Sequence, residues 1–120
     1  MTHSLILRFP PSVNKRYIHM GNSRRLILNP ETRDWLEYAS WTAKAYALHN
    51  NLKLIINYTY FDLYWYPPSY RQDCHNCEKV LFDALQRGKI VKNDRYILNR
   101  TQSVILDKEK PRVKIKWDGI

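Results

Sequence analysis

A chain of 120 residues, 44% hydrophobic and 13% aromatic, suits one packed domain over residues 1–120, small enough that self-association would extend its buried surface. Twenty lysines and arginines against eleven aspartates and glutamates leave a charge of +9, which favours polyanionic partners through counterion release and steering. Two cysteines exclude the disulfide framework of a small secreted domain, and no apolar run reaches the length of a membrane span or a signal-peptide core, so a cytoplasmic protein is expected.

In chain order, "SLILRF" (4–9) predicts a short strand closed by Pro10 and Pro11. Residues 12–28 scatter Asn14, Gly21 and Asn22 among basic side chains and predict an irregular basic segment. A helix follows. Asn29 suits its cap, Pro30 its first turn and Glu31 the positive end of its dipole, while Trp35, Tyr38, Ala39, Thr42 and Tyr46 recur at helical spacing up to Asn50 and Asn51. From Leu52 the period changes to two, predicting a strand through Leu54, Ile56, Tyr58 and Tyr60. Phe61, Leu63 and Trp65 then take over the apolar parity, through a bulge or a strand buried on both faces. "PPSYRQ" reads as a loop and residues 73 to about 88 as a second helix. "RYILNRTQSVIL" and "RVKIKW" read as two strands joined by the turn "DKEKP". The order β-α-β-α-β-β indicates a mixed sheet with helices against it, an α+β or α/β fold.

The second helix contains "RQDCHNCEKVLFDAL" (71–85), whose Cys74 and Cys77 invite a zinc or redox reading. At roughly 100° per residue, Cys74, Cys77, Val80, Leu81, Ala84 and Leu85 share one face, where the sulfurs stand in leucine positions. A structural zinc site takes about four ligands, and neither a second cysteine pair nor suitably spaced histidines complete one. The thiols are expected to be inert core groups.

His75, Asn76, Lys79, Asp83 and Gln86 occupy the opposite face, with Asp73 at the helix start. Asp73 suits a helix cap and a metal ligand equally well. A second carboxylate, Asp94, lies in the loop before a strand in "IVKNDRYI". A fold that returned this loop to the helix would gather two carboxylates and a lysine, a set suited to metal-assisted hydrolysis of a phosphodiester. Asp83 reads as structural.

Three blocks together resemble the RusA-type Holliday junction resolvases of bacteria and their phages: "FPPSVNKRY" (9–17), "RQDCHNCEKVLFDAL" and "GKIVKNDRYI" (88–97). They keep the family's order and approximate spacing, with identity concentrated in about forty residues. The resemblance implies a homodimeric, Mg²⁺-dependent endonuclease that makes paired nicks in opposing strands of four-way DNA junctions. It further implies a cytoplasmic, nucleoid-associated protein of a phage or prophage type, with no membrane partner and no small-molecule cofactor. Carried over by motif, Asp73 and Asp94 match the first and last catalytic aspartates, Lys79 the lysine needed for cleavage, and Asn76 the asparagine beside the acidic pair. Asn14, Lys15, Arg16 and Arg71 lie inside matching blocks and become candidate DNA contacts, as do Asn76 and Lys79. Arg24, Arg25, Lys89 and Lys92 have solvated charge as the equal alternative. Tyr17 and Tyr70 are expected to pack on their loops. Trp35, Trp41, Trp65 and Trp117 are expected in the core or a dimer interface.

Two departures matter. His75 stands where the family has a second aspartate, and Asn93 where many relatives have another acid. Imidazole suits Mn²⁺, Fe²⁺ or Zn²⁺ better than Mg²⁺, so the set Asp73, His75 and Asp94 is expected to favour Mn²⁺. His75 has four open roles: ligand to a softer metal, general base, DNA contact, or mark of lost activity in a protein that still binds junctions.

Overall fold

A computed structural model describes residues 1–12, 17–19 and 26–119. Its elements run β1 (Thr2–Arg8), β2 (Tyr17–His19), β3 (Leu26–Leu28), α1 (Pro30–His49), β4 (Thr59–Tyr66), α2 (Glu78–Arg87), β5 (Ile97–Val104) and β6 (Arg112–Asp118). Short 3-10 turns at Cys74–Cys77 and Asp94–Tyr96 precede α2 and β5. Among the described residues the main sheet has the order β1-β6-β4-β5; β6 runs antiparallel to both neighbours and β4 parallel to β5. This is an α+β fold with a mixed sheet.

The sheet buries one face. His3, Leu5 and Leu7 of β1, Phe61, Leu63 and Trp65 of β4, and Val113, Ile115 and Trp117 of β6 alternate inward as the two-residue period demands. They share a core with Trp35, Leu36, Ala39 and Ala43 of α1 and Val80, Leu81, Ala84 and Leu85 of α2. Helix α1 begins as its sequence predicts, with Asn29 Oδ1 accepting from the Glu31 amide at 2.9 Å and Pro30 opening the first turn. Its inward alanines 39, 43 and 47 keep that face flat enough for α2 to approach closely.

Both sheet edges are managed. On β1 the amides of Ser4 and Arg8 donate to the hydroxyls of Tyr46 and Tyr38, each at 3.1 Å. Eight residues of helix rise about 12 Å, and four residues of strand about 13 Å, so α1 lies along that edge in matching step. The edge of β5 carries a register shift against Leu63 and Tyr64, and Arg100 and Gln102 both donate to Asp62 on β4. Bulges and polar side chains of this kind blunt strand-to-strand pairing.

Three expectations need correcting. The segment 12–28 is not wholly irregular, because β2 and β3 pair as a two-stranded antiparallel ribbon. The strand expected from Leu52 starts only at Thr59; residues 52–58 form a loop with a single bridge, Ile55 to Val91. Leu54, Ile56 and Tyr58 are exposed there, so their alternation never met a partner strand, whereas Tyr60 is exposed within β4 and pairs with Leu98. The helix expected from residue 73 is a 3-10 turn followed by an α-helix from Glu78. The two strands flanking "DKEKP" are present as expected, as β5 and β6, with β6 lying between β1 and β4. Trp35, Trp65 and Trp117 are buried, whereas Trp41 is 64% exposed on the outer side of α1. No helix among the described residues is long and apolar enough to cross a membrane.

Candidate active site

Strands β4 and β5 are parallel neighbours, so the chain between them must cross back over the sheet, and α2 makes that return. Asp73 precedes the crossover helix and Asp94 follows it. Asp94 meets that helix through Lys79 and Gln86, while Asp73 bonds to the backbone of the 3-10 turn that leads into it.

Asp73 Oδ1 accepts from the His75 amide at 3.0 Å and so caps the 3-10 turn. The Asn76 amide donates to the Asp73 carbonyl at 3.1 Å, fixing the half-buried Asn76 beside it. The His75 ring is 83% exposed, with Nδ1 3.3 Å from Oε2 of Glu78, a carboxylate only 14% exposed. One turn on, Lys79 Nζ lies 3.5 Å from Asp94 Oδ2. Asp94 begins the turn before β5, and its amide donates to Gln86 Oε1 at 2.8 Å. Asn93 Oδ1 accepts from the Arg95 amide at 3.0 Å, so the residue at that family position caps a turn.

The structure therefore joins Lys79 to Asp94, and Asp73 to the backbone carrying His75 and Asn76. Arg71 is exposed two residues before Asp73, its amide held by Ser69 Oγ. Asn14, Lys15, Arg16, Arg24 and Arg25 lie outside the described residues, as does the side chain of Tyr17. Sequence reasoning missed roles for two residues. Glu78 was visible in principle as the i+3 partner of His75. Gln86 was placed on the polar face, but its bond to a backbone amide eight residues away leaves no pattern in the sequence.

The sulfurs sit apart from this chemistry. Cys77 is fully buried, with Sγ 3.7 Å from the Asp73 carbonyl oxygen and from Gln72 Nε2. Burial pushes its thiol up to about 11, and burial followed by the Asp73 charge also raises Cys74. Thiols held above their ordinary range stay protonated at neutral pH and are poor nucleophiles and ligands.

Asp73 and Asp94 each use one carboxylate oxygen in the contacts above, and the other oxygen meets no partner among the described residues. No three His, Cys, Asp or Glu side chains among those residues gather into a metal cluster. Mg²⁺ commonly takes one or two carboxylates and completes its shell with water and substrate phosphate, so these hard donors fit an ion of that kind.

The family model for endodeoxyribonuclease RusA matches residues 8–117. A search of curated proteins finds no match to the chain.

Proposed function

The chain belongs to the RusA endodeoxyribonuclease family, and from that premise we propose that it resolves four-way DNA junctions by paired, divalent-metal-dependent nicks in opposing strands. The contact between Lys79 and Asp94, on the helix that Asp73 introduces, carries this reading. It puts a cation and a carboxylate side by side in a basic chain.

In this reading Asp73 and Asp94 would hold the ion, and His75, which is not gathered with both of them among the described residues, would swing in as a nitrogen donor that shifts preference towards Mn²⁺ over Mg²⁺. The bound ion supplies Lewis acidity at the scissile phosphate and a more acidic water. Lys79 offsets the negative charge that builds on the phosphate oxygens during in-line attack, while Asp94 holds the ammonium in place beforehand. Arg71, Asn76 and Lys79, with Asn14, Lys15 and Arg16, hold the DNA backbone in register. Paired nicks need two such sites, hence a homodimer. The exposed Trp41 and Leu48 on α1 offer apolar surface to a second protomer.

A second reading has one observation in its favour: His75 replaces a family carboxylate, and its exposed ring is turned towards Glu78. There the protein binds junctions without cutting them. Both readings are tested by incubating the chain with a synthetic four-way junction and Mg²⁺ or Mn²⁺, then resolving the DNA on native and denaturing gels. Symmetric nicks lost in Asp73→Asn support the nuclease. A band shift without nicks in either metal supports the binder, and no shift at low salt sinks both.

A further inference from the structure

We propose that Gln86 is a positioning residue that sets the catalytic placement of Asp94, a role that rests on the nuclease reading above. Asp94 opens a three-residue 3-10 turn whose leading amides have no partner within the turn. Side chains supply the partners: Asn93 Oδ1 takes the Arg95 amide and Gln86 Oε1 takes the Asp94 amide. At 2.8 Å the latter is the shorter of the two and is partly buried, and it ties the turn to α2.

Lys79 and Gln86 are seven residues apart, so they project from the same face of α2 about two turns from each other. Asp94 is thereby held twice by one rigid helix, through its amide by Gln86 and through its carboxylate by Lys79. Only the Lys79 contact involves a group assigned to the chemistry. The Gln86 contact fixes the Cα of Asp94 and hence the arc over which its carboxylate can swing. A loop residue tethered at one end alone samples a wider arc, and misplacement by about 1 Å is enough to slow catalysis on the order of 100-fold.

The acceptor is what matters, because the partner is an N–H donor. Gln86→Met keeps side-chain length and helix-forming character while removing the carbonyl. Gln86→Glu keeps an acceptor at the same reach. Gln86→Ala is made in parallel, so that a folding failure of one truncation leaves the other to decide. For each full-length variant, kcat and KM are measured on a synthetic four-way junction with Mn²⁺, together with thermal melting and the exchange rate of the Asp94 amide proton.

The expected result is a fall in kcat of about 10- to 100-fold in Gln86→Met, as for loss of an outer-shell partner. KM should stay within about twofold, since ground-state DNA contacts are untouched. The Asp94 amide should exchange faster, and Gln86→Glu should restore most of kcat. A folded Gln86→Met or Gln86→Ala with unchanged kcat overturns the role. So does an equal loss in Gln86→Glu, or a loss of stability with kcat intact below the melting temperature. If the wild-type chain does not cut, the nuclease reading has failed and this inference falls with it. Wild-type cutting that is indifferent to Gln86 leaves that reading standing and removes only the inference.

Discussion

Lys79 reaches from the first turn of α2 to Asp94 at the turn before β5, with 3.5 Å between Nζ and Oδ2. The lysine is 62% exposed and the aspartate 29%, a setting in which an ion pair adds little stability. A contact of small energetic worth fits the catalytic role proposed for the two residues better than a role in folding. Lys79→Met should therefore leave the melting temperature nearly unchanged while lowering kcat by roughly 100-fold. Melting curves and single-turnover cleavage of a four-way junction check this. A parallel loss of stability and activity would make the pair structural.

Asp73 caps a turn and is proposed to act in cleavage, and substitution separates the two roles. Asparagine can still accept the His75 amide, so Asp73→Asn should keep the turn at Cys74–Cys77 and the fold. Without the negative charge, cleavage should drop by at least about 100-fold while junction binding persists. Asp73→Ala loses the cap as well, at a cost of about 1 kcal/mol in stability. Wild-type cleavage by a folded Asp73→Asn would remove this residue from the site.

The metal preference tests the role proposed for His75. If its imidazole is a donor, Mn²⁺ should support faster cleavage than Mg²⁺ at limiting concentrations, and His75→Asp should restore the Mg²⁺ rate. Equal rates with the two ions in the wild-type chain would count against His75 as a ligand. Electron paramagnetic resonance of bound Mn²⁺, without DNA, gives a readout independent of turnover.

Sequence patterning found what local physics dictates. Asn29 and Pro30 start α1 because a helix start needs a side-chain acceptor and tolerates a residue without an amide, and both properties are local. The apolar face from Cys77 to Leu85 was readable for the same reason. Residues 52–58 misled because alternation signals a strand only when a neighbour pairs with it, and β6 reaches back only to Phe61. That β6 lies between β1 and β4 is a long-range fact with no trace in local period. At the candidate site, motif spacing singled out Asp73, Lys79 and Asp94, and the fold brings Lys79 to Asp94. Glu78 and Gln86 emerged only from three-dimensional partners.

Gly88, which caps α2, packs closely against α1. A Cβ built there would lie 2.5 Å from Ala43 Cβ and 2.9 Å from the Ser40 carbonyl oxygen. Neither neighbour is the end of a flexible side chain, so α1 and α2 would have to separate. Gly88→Ala should destabilise the fold by about 1–3 kcal/mol, seen as a lower urea midpoint. Ala43→Gly in the same chain should recover part of that loss, a coupling that a double-mutant cycle measures. Additive losses would place the strain elsewhere.

The buried Cys77 thiol makes a prediction at alkaline pH. Its folded-state value is pushed up to about 11 from an ordinary 9.0, chiefly by burial. The unfolded chain therefore ionises first, so the thiol's contribution to stability is complete below pH 9 and disappears as pH climbs towards 11. Cys77→Val keeps an apolar side chain of similar size and removes the ionisation. Its melting temperature should fall less steeply than that of the wild type between pH 9 and 11, while the two respond alike between pH 6 and 8. Because the sulfur takes no part in the chemistry proposed for Asp73, Lys79 and Asp94, the same variant should cut junctions at the wild-type rate at neutral pH. Loss of cleavage in a folded Cys77→Val would return the thiol to the site, and matching alkaline slopes would show that burial leaves its ionisation unchanged.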